Sequence, residues 1–235
     1  MDRNEFASQV SGVAALAEPI RRELYLYVAA QTQPISRDQA GVGVGVARHT
    51  AKFHLDKLVE EGLLEVDFKR LSGRRGPGAG RPTKLYRRSR REVAVALPER
   101  HYDLAGQLMA QAIDDSVRDG TSVLDALQRA AANRGTALGE QTLRAAGRRP
   151  ARERLAAAAC ETLATHGYEP RRDDATVTLA NCPFHALAAE HTELVCGMNL
   201  ALVHALVAPL GKNTLTARLS PAPDRCCVVL TTPNG

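Results

Sequence analysis

Four of the chain's five cysteines fall in its last quarter: Cys182, Cys196, Cys226 and Cys227. Thiolates bind soft metal ions and iron–sulfur clusters and take part in redox exchange. Cys182 opens the run Asn181-Cys182-Pro183-Phe184-His185, where an expected strand gives way to a helix start. The dipole and free N–H groups of such a start favour a thiolate. Cys196 falls on the next expected helix. Cys226 and Cys227 are adjacent on an expected strand, so they should face opposite ways, and one at most should join Cys182 and Cys196. Three thiolates from three elements result, with His185, His191 or the second cysteine of the doublet as fourth ligand. That donor set suits zinc or an iron–sulfur cluster. No CxxC pair brings two ligands together locally, and intervals of 13 and 29 intervening residues leave convergence to the fold. Packed core cysteines and a thiol redox switch are the competing readings, and Cys160, inside an alanine-rich helix, reads as core.

A second set of residues points to a polyanion. From Pro34 to Leu64 the chain reads as a helix-turn-helix. Ser36 and Gln39 fit a capping box for a short helix over 37–42, which breaks at Val44-Gly45-Val46. A second helix begins near Ala47, with Ala51, Leu55, Leu58 and Val59 as its buried stripe and Gly62 as its stop. Its other face carries Arg48, His49, Lys52 and His54, with Lys57 further along, as groups able to read a major groove, while His54 beside Leu55 could equally hold this helix on its neighbour. Strands over 64–69 and 83–87 should flank a Gly/Pro-rich loop from Leu71 to Pro82. Between Phe68 and Arg91 lie ten Lys or Arg residues, among them Arg74, Arg75, Arg81 and Lys84, and no Asp or Glu. A block of this kind attracts phosphates and releases counterions.

These residues need elements to hold them. Pro19 should open a support helix with Ile20, Leu24, Tyr27 and Val28 inward. Val93, Val95 and Leu97 alternate. Helices are expected over 98–117 (Tyr102, Ala105, Leu108, Met109 and Ile113 inward), 122–143 and 150–166, pairing across a dimer axis. The remainder reads as mixed α/β: a hairpin over 168–179 turning at Asp173-Asp174, helices over 183–190 and 193–210, and strands over 215–219 and 226–231. The resulting fold class is α+β. It comprises an N-terminal winged helix-turn-helix domain (1–92), central dimerisation helices (93–166) and a C-terminal mixed α/β sensor domain (167–235). With 235 residues, 44% hydrophobic and 24% charged, the chain can bury a core, and its net charge of +5 is concentrated in the basic block. No apolar run is read as approaching the ~20 residues of a membrane span. The first residues lack a basic-then-apolar leader, so a cytoplasmic location without membrane contact is expected.

The segment His54-Leu55-Asp56-Lys57-Leu58-Val59-Glu60-Glu61-Gly62-Leu63, the run Gly80-Arg81-Pro82-Thr83-Lys84-Leu85-Tyr86 and the cysteine-bearing C-terminal segment resemble the ArsR-like regulators that include the SufR group. The resemblance covers most of the chain. It implies a homodimeric repressor acting on a two-fold DNA operator, with an iron–sulfur cluster on Cys182, Cys196 and Cys226. The Cys226-Cys227 doublet and the segment from Asn181 to His191 are closer to actinobacterial relatives of that group. Ala47 stands where serine usually caps the recognition helix. An organic effector bound by the C-terminal segment is the alternative regulator. Catalysis is not expected: Cys182 and His185 share one helix start, and no glycine-rich turn precedes them to bind an oxyanion.

Overall fold

Helix α1 (Arg3–Ala15) leads into α2 (Pro19–Ala29), where Pro19 stands in the first turn and needs no hydrogen-bond partner. Glu18 caps α2, its carboxylate accepting from the backbone N–H of Ile20 at 3.2 Å and of Arg21 at 2.6 Å. The computed structural model describes residues 3–69, 82–173 and 175–232, in two units that divide between residues 95 and 96.

In the first unit, β1 (Ile35–Ser36) runs directly into α3 (Arg37–Val44). The expected capping box is formed: Gln39 N–H donates to Ser36 Oγ at 3.3 Å and Ser36 N–H to Gln39 Oε1 at 2.9 Å. Gly45, at φ 73°, ends α3 in the left-handed conformation that glycine adopts without strain. Helix α4 (Arg48–Glu60) then buries Ala51, Leu55 and Leu58 against Leu24 and Val28 of α2. Ala47 gives α4 no side-chain cap. Ala47→Ser should therefore stabilise this unit by about 1 kcal/mol in thermal unfolding. Strands β2 (Leu64–Lys69) and β3 (Thr83–Arg88) pair antiparallel, Leu64 opposite Arg88 and Lys69 opposite Thr83. Strand β1 adds to the other edge of β3, so the sheet order is β1-β3-β2. The expected loop, with Arg74, Arg75 and Arg81, lies outside the described residues. Val93, Val95 and Leu97 form no strand; Val93 instead packs against Gly12 and the core beneath it.

In the second unit, α5 (Tyr102–Asp119), α6 (Val123–Ala145) and α7 (Arg152–Thr165) precede β4 (Pro170–Asp173) and β5 (Thr176–Leu179). Then follow α8 (His185–Glu190), α9 (Thr192–Val207) with a 3-10 turn (Ala208–Leu210), β6 (Thr216–Leu219) and β7 (Val228–Thr231). The strands form an antiparallel sheet, β4-β5-β7-β6. Of the expected hairpin turn, Asp173 ends β4, and Asp174 lies outside the described residues.

Two expectations need correction here. The boundary at 166/167 is absent, because α5, α6, α7, α9 and the sheet contribute to a single core. Within that core α6 lies along α9, with Gly135 and Gly139 against the carbonyls of Leu202 and Leu206. Helix α5 buries Ala105, Leu108 and Ala112, while Ile113 is 53% exposed, so its inward stripe is centred away from Ile113. The hydropathy reading also missed one segment. Residues 192–210 are long and apolar enough to cross a membrane by length and composition, with mean hydropathy 1.6. More than half of that window, 56%, is buried in the unit, where a core helix is apolar all round.

Candidate functional site

The first unit presents the exposed face of α4: Arg48, His49, Lys52 and Phe53, the phenyl ring 67% exposed. Arg48 Nε pairs with Asp38 Oδ1 at 2.7 Å, at the start of α3. Lys52 pairs with Asp56 one turn on, at 3.3 Å. A groove between α3, α4 and the β2–β3 hairpin is lined by four cations, Arg37, Arg48, Lys52 and Lys84. The Asp56 carboxylate also accepts hydrogen bonds from Lys84 and, at 2.9 Å, from the Tyr86 hydroxyl. Partial burial pushes the Asp56 pKa up. The hydrogen bonds from Lys84, Tyr86 and Lys52 outweigh that and hold it below the usual carboxylate range. Burial, with donation to Asp56, pushes the Tyr86 hydroxyl far above its ordinary value, so it stays a donor.

Two expected groove-facing residues stand elsewhere. His54, with a side chain 12% exposed, puts Nδ1 3.5 Å from Glu18 Oε2 and turns its ring edge-on to Phe53. Being three residues after Ala51 and four before Leu58, it lies beside the buried stripe and serves the α2–α4 junction. Lys57 pairs with Glu60 at 3.2 Å and Glu61 at 3.1 Å at the helix end. Lys84 is in the groove but engaged by Asp56. Asp56, Phe53, Tyr86 and Arg37 are the residues the sequence reading missed; the i,i+4 interval from Lys52 to Asp56 was the available signal.

The second unit gathers all four C-terminal cysteines. Cys182 lies between β5 and α8, Cys196 in the second turn of α9, and Cys226 and Cys227 just ahead of β7. The doublet precedes the strand instead of sitting on it, so alternation of faces does not apply, and both of its thiols join the group. Cys182 donates to Cys226, Cys226 to Cys227, and Cys227 meets Cys196. The contacts run as a chain. Among the described residues, no group of three or more His, Cys, Asp or Glu side chains is arranged as a metal shell. His185 and His191, the other expected fourth ligands, are exposed at the two ends of α8, and Cys227 takes the fourth place in the thiol chain. Cys160, half-buried on α7, packs at the edge of the core as expected.

Three of these thiols, Cys182, Cys196 and Cys226, are held protonated. Donation to Cys226, then burial, pushes the Cys182 pKa far up. For Cys226 the bond accepted from Cys182 pulls down, but donation to Cys227 and burial win and push it up to about 11. Burial raises Cys196, partly offset by Cys227. At pH 8 the Cys226 thiolate should be about 100-fold scarcer than that of an ordinary cysteine. Iodoacetamide labelling followed by peptide mass spectrometry should accordingly find the partly exposed Cys227 modified at least about tenfold faster than Cys226.

The turn that carries Cys182 is strapped to the start of the unit. Asn181 Nδ2 donates to Glu99 O at 3.0 Å and to Gly167 O at 2.5 Å. Arg100 donates to Asn181 Oδ1 and, at 3.1 Å, to Cys182 O; His101 N–H donates to Pro183 O at 3.0 Å. Behind the thiols, the wholly buried Asn199 donates to Cys226 Sγ at 3.2 Å and accepts from Tyr168 Oη at 2.6 Å. No protein-family model, curated protein or solved structure matches the chain.

Proposed function

We propose that the chain is a sequence-specific regulator that binds double-stranded DNA through residues 2–95, a winged helix-turn-helix unit with α4 as its recognition helix. The observation that carries this is the exposed face of α4, with Arg48, His49 and Lys52 above a fully buried Ala51/Leu55/Leu58 stripe. Beside it, the β2–β3 hairpin brackets the basic block. A helix presented in this way can enter a major groove, and flanking cations supply the sequence-independent phosphate attraction. The C-terminal thiols form the sensing half of the reading, and the likeness to ArsR-like regulators of the SufR group supplies homodimeric repression on a two-fold operator.

The donors have the chemistry of a soft metal centre: Cys182, Cys226, Cys227 and Cys196 follow one another in a chain of thiol contacts, and they could hold zinc or an iron–sulfur cluster after losing their protons and drawing together. Such a centre would supply a redox- or metal-responsive charge at this point. The chain's own part is to orient the donors, Asn199 through Cys226 Sγ and Arg100 through the Cys182 carbonyl. Direct thiol contact also favours a second reading, a redox switch. Cys182 and Cys226 would yield two protons and two electrons to hydrogen peroxide, forming a disulfide and two waters.

The test selects duplexes from a random pool, then measures affinity by anisotropy from 50 to 300 mM salt. Recovery of one motif, with Lys52→Ala and His49→Ala each weakening it at least about tenfold, is the expected result. Binding without any preferred motif would overturn sequence-specific regulation. Iron, sulfide and zinc assays on anaerobically purified protein distinguish a cluster from zinc. A colourless, metal-free protein whose DNA affinity responds to peroxide would favour the disulfide.

A further inference from the structure

Asp56 on α4 engages three of the residues that line the cationic groove. Lys52 belongs to its own helix and Lys84 and Tyr86 to β3. One carboxylate thus engages two cations, and offsets one of their two positive charges, on the surface that a phosphate backbone would approach. Fastening helix to strand does not by itself require a charge, because Tyr86 Oη can also donate to a neutral carbonyl oxygen. The charge has a different consequence. Each lysine that neutralises a phosphate releases counterions from any sequence alike, so a free Lys52 and Lys84 would tighten binding to all DNA without improving discrimination.

We infer that Asp56 is a specificity-determining residue. By pairing Lys52 and Lys84 in the free protein, it suppresses binding to random sequence, and it releases them only where base contacts on α4 offset the lost ion pairs. This rests on the DNA-binding reading above. It makes specificity a difference between two affinities, one of them deliberately weakened.

Asp56→Asn keeps the shape and the acceptor for Tyr86 while removing the charge. Binding of the full chain to a random-sequence duplex and to the selected motif is measured by anisotropy across salt. The expected result is at least fivefold tighter binding to the random duplex. Its log–log salt slope should be steeper by about 0.9, the contribution of the one net positive charge that the substitution frees. The ratio of motif to random affinity should fall. Weaker or unchanged random-sequence binding, with an unchanged slope, would overturn the inference.

Lys84→Met gives a second measurement that does not depend on how Asp56→Asn folds. Because Asp56 already engages Lys84 in the free protein, loss of the Lys84 charge should weaken random-sequence binding by less than twofold in the wild-type background; a loss of fivefold or more would contradict the assignment. Wild-type chain that binds no duplex at low salt would overturn the DNA reading and this inference together. Wild-type binding that does not respond to Asp56→Asn would overturn the inference alone.

Discussion

Alanine at Gly139 should lower the midpoint of thermal unfolding of the 96–235 unit by on the order of 10 °C, and alanine at Gly135 should do the same. A Cβ at Gly139 would lie 2.2 Å from Leu206 O, and one at Gly135 2.1 Å from Leu202 O. Both collisions are with backbone, which has no rotamer to escape into, so α6 and α9 must move apart along their shared length. Alanine does gain about 1 kcal/mol over glycine in a helix interior. Overpacking costs typically about 1–3 kcal/mol and sometimes more, and here it also opens the apolar seam around Leu202 and Leu206. The net loss should be about 3 kcal/mol for each variant, a large share of the 5–15 kcal/mol of a typical domain. Gly106 on α5 provides the control: a Cβ there meets nothing within 4 Å, so Gly106→Ala should stabilise the unit by up to about 1 kcal/mol. Differential scanning calorimetry of the three variants checks both signs. A Gly139→Ala protein as stable as wild type would mean that the two helices are not packed backbone to backbone.

Asn199→Leu should cost about 3 kcal/mol in urea unfolding, although leucine suits a buried helix by hydropathy and propensity. Asn199 is wholly buried and is the partner of two other buried groups. Without it the Tyr168 hydroxyl, itself deeply buried, keeps its dehydration cost and loses its acceptor. Burial pushes the Tyr168 pKa well above its ordinary value, so ionisation offers no escape. A double-mutant cycle makes the cause testable. If the unpaired hydroxyl dominates, adding Tyr168→Phe to Asn199→Leu should recover at least about 1 kcal/mol. Strict additivity of the two losses would assign the cost to shape instead. The same substitution removes the donor to Cys226 Sγ, and iodoacetamide labelling of Cys226 in the variant reports that change separately.

Local chemistry made much of the fold legible. Ser36 with Gln39, Pro19 after Glu18, and the left-handed Gly45 and Gly62 each act over a few residues, and each is found where its chemistry puts it. The second unit was less legible, because tertiary packing decides it. Nothing near Gly135 or Gly139 announces that α9 will be the partner of α6. That pairing places one face of α6 in the interior of a single core. The doublet Cys226-Cys227 was placed on a strand that begins two residues later, and this small shift replaced alternating faces by two thiols in one group. His54 had two readings, groove contact or a hold on the neighbouring helix, and only the fold decides between them: it borders the apolar stripe of α4, and Glu18 on another element sets which way its ring turns. Asp56 is acidic within a basic segment, and its meaning emerges only once β3 brings Lys84 and Tyr86 alongside.

The strap from Glu99 to His101 turns the thiol chemistry into an observable of the backbone. The amide proton of His101 is held by Pro183 O, and the two residues that follow the strapped Asn181 are Cys182 and Pro183 themselves. Whatever occupies or oxidises Cys182 changes the opening free energy of that turn, so the exchange rate of the His101 amide with heavy water records it. Linkage makes the relation reciprocal: loosening the strap must weaken the state of Cys182 that tightens it, by the same free energy. A single protected amide, placed just after the chain enters the second unit, thus serves as a reporter of the cysteine cluster without any label or chromophore.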